Sequence, residues 1–288
     1  MNYDAPLYRP PSEARSLILQ LTLGCSHNKC TFCSMYKDKK FKILTDEEIE
    51  NHLSMAKLYY PNAKKLFIAD GNALAIPFER LCEIFKKIKI MWPSFERITL
   101  YGAPKDILRR SISELEILKS LGLEMIYMGL ESGSDLILKE IEKGVTSSEM
   151  IEAGRRVEES GISLSLTMIS GLGGKAHWKE HALESAKVIN SINPSFLGLL
   201  TLMVEDGTKL KNDITSNKFE LLSADEVLEE TLLLLENLDV NNTVFRSNHA
   251  SNYTPLRGTL PQDKLRLIEE IKQAILTKDI KPEWLRGL

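Results

Sequence analysis

Between Leu17 and Leu238, short apolar and β-branched runs alternate six times with helical stretches. No other feature restricts the fold as strongly. Strands that alternate with helices of ten or more residues build parallel sheets, because a parallel neighbour needs a long crossover. The strands are expected near Leu17–Thr22, Lys65–Ala69, Arg97–Tyr101, Met125–Leu130, Ser163–Ile169 and Phe196–Met203, with a seventh at Thr243–Ser247. The helices are expected at Asp46–Leu58, Phe78–Met91, Ser113–Leu121, Ser147–Ser160, Ala176–Ser191 and Ser223–Leu238, with a closing amphipathic helix over Pro261–Lys278. Thr45 before Asp46-Glu47-Glu48 reads as a capping box, and Gly122 and Gly161 stand where helices end. Six units predict an α/β barrel or three-quarter barrel. A chain of 288 residues with 43% hydrophobic content fits one such body.

Strand parity adds a second constraint. In Ser163-Leu164-Ser165-Leu166-Thr167-Met168 the hydroxyls share one face and the bulky apolar groups the other. Gln20 and Thr22, Thr99 and Tyr101, and Tyr127 and Glu131 fall on shared parities in their own strands. A closed barrel is ordinarily filled with branched apolar side chains, so a polar interior points to a bound polar ligand.

The chain has four cysteines, and three stand in Gly24-Cys25-Ser26-His27-Asn28-Lys29-Cys30-Thr31-Phe32-Cys33, directly after the first strand. Clustered cysteines outside a disulfide framework read as metal ligands or redox groups. Iron–sulfur clusters take soft thiolates, normally four. Three thiolates on a four-iron cluster leave one iron open to a substrate or cofactor. Cys82 shares a helix face with Phe78 and Phe85 and reads as a small buried hydrophobe. A structural zinc knuckle using His27 or a distant ligand is an alternative, although no second Cys/His pair follows. A redox pair, Cys30-Thr31-Phe32-Cys33, is another.

The same segment resembles the radical S-adenosylmethionine (SAM) superfamily, whose signature is C-x3-C-x-aromatic-C after the first barrel strand. Cys30, Phe32 and Cys33 match its second half, while four residues rather than three separate Cys25 from Cys30. Tyr127-Met128-Gly129-Leu130-Glu131-Ser132-Gly133-Ser134-Asp135 and Ser165-Leu166-Thr167-Met168-Ile169-Ser170-Gly171-Leu172-Gly173-Gly174 are similar to the branch containing Elongator subunit 3, methylthiotransferases and anaerobic coproporphyrinogen oxidase. The resemblance implies a partial TIM-type (β/α)6 radical SAM barrel over 15–205. It places 206–288 as a C-terminal helical and loop extension closing the barrel, all within a single domain 1–288.

The cofactors so implied are SAM and an oxygen-sensitive [4Fe–4S] cluster held by Cys25, Cys30 and Cys33. Asp70-Gly71-Asn72 matches the glycine-bearing turn after strand two, whose carbonyls hold the SAM ammonium. Glu131 and Ser132 would reach the ribose or amino group, and Ser165 or Thr167 the ribose. Arg155 or Arg156 would pair with the carboxylate in bidentate fashion, against the plain reading of two solvated helix arginines. Gly171, Gly173 and Gly174 would let the backbone run near the adenine.

Further residues stand outside that resemblance. His177 and His181 are four apart on a helix, the spacing of metal ligands, but Trp178 replaces the glutamate of a zinc protease motif. The run Val244–Tyr253 is densely polar, and Arg246, Asn248, His249 and Asn252 are candidates to line a substrate pocket; the bland reading is a surface loop. Lys37, Lys39, Lys40 and Lys42 form a basic run that reads as a solvated face.

The net charge of −3 supplies no field for nucleic acid or anionic membrane. No run approaches the apolar length of a membrane helix, and the polar, proline-bearing start lacks the apolar stretch of a signal peptide, so the expected location is the cytoplasm. Only Cys82 remains for an auxiliary cluster, and the chain after 205 is short for a cobalamin or RNA-anchoring domain. The expected activity is reductive cleavage of SAM to a 5′-deoxyadenosyl radical that takes hydrogen from a small molecule, with a flavodoxin or ferredoxin as electron donor. A tRNA-modifying enzyme, a non-catalytic electron-transfer protein and a zinc-stabilised binding module are the rival readings.

Overall fold

The computed structural model describes residues 3–287. Their contacts divide into two compact units interleaved along the chain. The first holds the residues up to Asn28 with Met35–Met128 and Arg156–Leu164; the second holds Lys29–Ser34, Gly129–Arg155 and the chain from Ser165 onward.

The first unit contains β1 (Leu17–Gln20), β2 (Thr22–Leu23), β3 (Lys42–Ile43), α1 (Asp46–Tyr59), β4 (Lys65–Ala69), α2 (Phe78–Met91), β5 (Arg97–Tyr101), α3 (Pro104–Leu108), α4 (Ile112–Ser120) and most of β6 (Leu123–Glu131). β1, β4, β5 and β6 lie side by side and parallel, in register from Leu17 opposite Leu66 to Tyr101 opposite Tyr127. β2 and β3 form a separate antiparallel ribbon. Thr45 and Ser111 begin α1 and α4 with reciprocal bonds to Glu48 and Glu114. On α2, Leu81, Cys82, Ile84, Phe85 and Ile88 are buried at helical spacing, and burial pushes the Cys82 thiol up in pKa. The fourth cysteine is a core residue.

The polar parity in this unit differs from expectation. Phe67, Tyr101 and Tyr127 meet edge to face on one face of the sheet. The Tyr127 hydroxyl donates to Glu13 Oε1 at 2.7 Å, and Arg97 Nη2 reaches the same fully buried oxygen at 2.8 Å. Gln20 bonds Asp4 and Asp70. The N-terminal segment thus engages Tyr127 and Gln20, whereas the buried Thr22 hydroxyl has no partner; strand periodicity could not reveal a partner over a hundred residues away.

The second unit contains α5 (Asp135–Glu140), most of α6 (Ser147–Glu159) and β7 (Ser163–Ser170), then α7 (Gly174–Ile192), β8 (Phe196–Thr201), α8 (Lys209–Thr215), α9 (Ala224–Asn237), β9 (Thr243–Ser247), β10 (Leu256–Leu260) and α10 (Lys264–Thr277). β7, β8 and β9 are parallel neighbours, and β10 returns antiparallel to β9 as the terminal strand. Strands of the expected extension thus continue the sheet. Along β7, Leu164, Leu166 and Met168 are fully buried while Ser163, Ser165 and Thr167 are half-buried, as alternation requires. The outer edge of β10 bonds the start of α10. Asp263 Oδ2 accepts the Thr259 N–H at 2.7 Å, the Asp263 N–H donates to the Thr259 carbonyl at 2.9 Å, and Arg266 Nη2 donates to the Arg257 carbonyl at 2.9 Å.

Candidate active site

The segment carrying the cysteines is closed at its base by the β2–β3 ribbon, Thr22 opposite Ile43 and Leu23 opposite Lys42. Cys25, Cys30 and Cys33 are partly exposed, and none is in a disulfide.

Within the first unit, the turn after β4 is wired to the start of this segment. The Gly71 N–H donates to the Gly24 carbonyl at 3.1 Å, and the Gly24 N–H donates to Asp70 Oδ2 at 3.1 Å. Asn72 Nδ2 donates to Ser26 Oγ at 2.7 Å and also to Asp106, while Asn72 Oδ1 accepts the Ala103 N–H at 3.1 Å. Gly71 is pressed against the first cysteine. A β-carbon there would stand 3.2 Å from Cys25 Cβ and 3.0 Å from Tyr36 Cε2, so only glycine fits without displacing a neighbour. Asp70 is fully buried; Oδ2 takes Gln20, Gly24 and Lys39, whereas Oδ1 has no partner. Burial raises its pKa, opposed by the Gly24 N–H, Gln20 and the Lys39 ammonium.

Lys39 is therefore no member of a solvated basic face. Its side chain is 8% exposed and pairs with Asp4 and Asp70. Lys37 donates to the Asn28 carbonyl and Lys42 pairs with Glu48.

Within the second unit, Cys30 and Cys33 flank a turn in which the Cys33 N–H donates to the Cys30 carbonyl at 3.4 Å. Buried Thr31 anchors it, its N–H to the Ile141 carbonyl and its carbonyl to the Leu210 N–H, both at 3.0 Å. The half-buried Phe32 lies between the two cysteines in sequence. These anchors follow the C-terminal ends of β6 and β8, where barrel enzymes carry their chemistry.

Glu131 ends β6 at φ 63° and pairs with Lys143 at 2.9 Å. Ser132 corrects an expectation: it is fully buried, donates to His181 Nδ1 at 2.8 Å and accepts the Ser134 N–H at 3.1 Å. Its single proton is committed inside the fold. The other His181 nitrogen, Nε2, meets the Ile169 carbonyl at 3.0 Å and must carry the ring proton, since a carbonyl only accepts. Burial lowers the His181 pKa to about 4, so the ring is neutral and both nitrogens are occupied. His177, its candidate metal partner, instead faces Glu180 at 3.7 Å.

A fully buried acid on α9 completes this region. Glu230 Oε1 accepts the Gly171 N–H at 2.8 Å, holding the glycine-rich turn at φ 87°. Burial raises its pKa to about 8. At neutral pH it is protonated, and the 4.0 Å approach of His181 joins two uncharged groups. Glu230 went unrecognised in sequence, yet it occupies the apolar stripe of α9 between Val227 and Leu234. An acid on a buried stripe is a readable signal.

Arg155 and Arg156 both contact backbone carbonyls. Arg155 is exposed, and its Nε donates to the Ser191 carbonyl at 2.7 Å, close to the C-terminal end of α7 and hence before β8. That is the strand end opposite the one bearing Thr31. Arg156 Nη1 bonds the carbonyls of Leu108 and Arg110 at 2.8 and 2.9 Å. Ser165 and Thr167 keep the half-open face of β7.

Of the four pocket candidates, Arg246 and Asn248 are exposed and His249 is half-buried. The His249 Nδ1 accepts the Ser251 N–H at 3.1 Å, and burial lowers its pKa. Asn252 is buried, donates to the Leu199 carbonyl at 2.7 Å and accepts from Thr201 Oγ1 at 3.1 Å.

Residues 19–186 match the family model of the radical SAM superfamily. The chain belongs to that superfamily. The heme chaperone HemW of Bacillus subtilis is 23% identical over 221 residues, 75% of this chain and 56% of that protein. Among solved structures, the radical SAM methyltransferase TsrM of Kitasatospora setae, with cobalamin and a [4Fe–4S] cluster bound, matches at TM-score 0.58 and 15% identity over 70% of this chain and 39% of its own. The archaeal Elp3 of Methanocaldococcus infernus matches at TM-score 0.55 and 14% identity over 92% and 64%. These likenesses show the fold, an α/β architecture of the partial TIM-barrel type. The chain spans about half the length of the curated relatives it matches.

The superfamily's cofactors are a [4Fe–4S] cluster and SAM, and the residues present fit them. Three thiols are outside any disulfide, Gly71 gives close passage beside Cys25, and a buried carboxylate oxygen of Asp70 lacks a partner.

Proposed function

We propose that this protein cleaves SAM reductively and uses the 5′-deoxyadenosyl radical to take a hydrogen atom from a small molecule. The observation that carries this reading is the fit of Gly71 against Cys25, with its amide bonded to the Gly24 carbonyl. The cluster, when bound, supplies the electron that breaks the SAM C5′–S bond.

The chain's own residues divide the binding and positioning work. Cys25, Cys30 and Cys33 are the cluster ligands. Asp70-Gly71-Asn72 presents backbone carbonyls to the SAM ammonium; its geometry is fixed by the buried Asp70 and Asn72 side chains, which bond Gly24 and Ser26. Glu131, Ser165 and Thr167 supply polar contacts for the ribose, with Lys143 setting the Glu131 carboxylate. Gly171, held by Glu230, lets the backbone run beside the adenine. Phe32 shields the thiolates on either side of it in sequence. Arg246, Asn248 and His249 remain as contacts for substrate.

A flavodoxin- or ferredoxin-type donor would supply the electron. The lysines after the cysteine segment support a nucleic-acid substrate poorly, because Lys37, Lys39 and Lys42 already have partners. No helix among the described residues is long and apolar enough to cross a membrane.

The test is anaerobic. Protein reconstituted with iron and sulfide is mixed with dithionite and SAM, and 5′-deoxyadenosine is followed by chromatography. Its release, abolished by Cys30→Ala, is the expected outcome. A brown protein with a reduced-cluster EPR signal and no deoxyadenosine, with or without candidate small molecules, would overturn the enzymatic reading in favour of electron transfer.

A further inference from the structure

β9 and β10 place two arginines directly opposite one another. Arg246 and Arg257 are Cα partners of the antiparallel ladder, so their side chains leave the same face of the hairpin. Both are exposed, and neither forms an ion pair with an acid among the described residues. Like charges directly opposite on a strand pair destabilise it. Arg246 Nη1 donates to the carbonyls of Phe245 at 2.8 Å and Gly258 at 3.2 Å, which fixes the guanidinium along the hairpin. Its remaining N–H groups stay available.

The row containing this pair extends inward across the sheet. Arg246 is in register with Gly198 on β8, and Gly198 with Thr167 on β7. Thr167 and Gly198 are only half-buried, while the opposite face carries the fully buried Leu166, Leu197 and Phe245. The nearest atom to a β-carbon built at Gly198 is the Leu166 carbonyl oxygen at 3.6 Å, so the glycine leaves open floor between the hydroxyl and the guanidinium. Adjacent strands lie about 4.8 Å apart, which puts Thr167 and Arg246 roughly 10 Å from each other, the length of a small metabolite.

We infer that Arg246 and Arg257 form an anion seat, and that the substrate is a small acid whose carboxylate or phosphate is gripped there while the rest lies over Gly198 toward Thr167. Guanidinium groups bind both oxyanions in bidentate fashion, and two side by side without an acidic partner are relieved by a shared counterion. This deepens the proposed function and rests on it for the word substrate; the anion seat itself does not.

The test uses full-length protein reconstituted anaerobically, titrated with inorganic phosphate and, separately, with acetate at constant ionic strength in chloride. Binding is followed by phosphorus and carbon NMR line broadening. Saturable binding of either anion, weakened tenfold or more in Arg246→Ala and in Arg257→Ala, is expected; the anion that binds tells phosphate from carboxylate. No saturable binding, or equal binding by the double variant, would overturn the seat. Arg257→Thr should also leave the denaturation midpoint unchanged or higher, since it removes a like-charge pair; a clear drop would make the arginines structural and sink the inference. Deoxyadenosine release by the same preparation separates the two levels. Anion binding without it removes the radical reaction and keeps the seat, whereas deoxyadenosine without anion binding removes the seat alone.

Discussion

Gly71 is the position where one atom decides most. A methyl group there must push Tyr36 or Cys25 aside by a few tenths of an ångström. Overpacking of this kind costs about 1–3 kcal/mol. Because one of these neighbours, Cys25, is a proposed cluster ligand, Gly71→Ala is expected to weaken SAM binding to reconstituted protein roughly tenfold, about 1.4 kcal/mol, while the protein stays folded. Unchanged affinity would show that the turn tolerates a side chain. Asp-Gly-Asn is an ordinary turn in sequence, and only its order after β4 singled it out; the contact with Cys25 is what gives it meaning. Ser132 and Asn252 show the opposite case. Their residue types promised ligand contacts, but His181 and the Leu199 carbonyl claim them, and such partners are invisible to local patterns.

At the scale of elements, caps and periodicity were the legible part. Thr45, Ser111 and Ser223 each accept the N3 amide of their helix while Glu48, Glu114 and Glu226 reach back. Ser223→Ala should lower stability by about 1 kcal/mol in chemical denaturation, and Ser223→Asn should restore most of it. No loss would mean that tertiary packing alone holds the start of α9. The hydroxyl face of β7 was also readable, because alternation is a property of any strand. β10 was not. Leu256–Leu260 is five residues with a central glycine, too short and too weak in β-propensity to announce itself, and its pairing with β9 is what converts a polar loop into a hairpin.

For the molecule as a whole, the buried pair His181 and Glu230 makes two opposed contributions to how stability follows pH. His181 titrates near 4 when folded and near its ordinary 6.5 when unfolded, so between these values the unfolded chain holds the extra proton and stability rises with pH. Glu230 does the reverse: with its pKa raised from 4.5 to about 8, the folded chain holds the extra proton over that window and stability falls with pH. From 4.5 to 6.5 these two contributions oppose each other, and the lowered His52 and His249 add to the rise. From 6.5 to 8 only Glu230 acts, with a loss on the order of 1 kcal/mol per pH unit. Denaturation midpoints should therefore decline across that interval in the native protein. Glu230→Gln, which keeps an acceptor for the Gly171 N–H, should flatten the decline, and an equal slope in the variant would assign it to other groups.

The last strand of the sheet bears on how the protein behaves when concentrated. A terminal strand usually offers bare N–H and C=O groups on which another chain can build, the first step toward fibrils. On β10 the Arg257 carbonyl and both backbone groups of Thr259 are already bonded by Arg266 and Asp263 at the start of α10. The helix that follows the strand thus acts as its selvedge, and growth of the sheet by strand addition is blocked at this border.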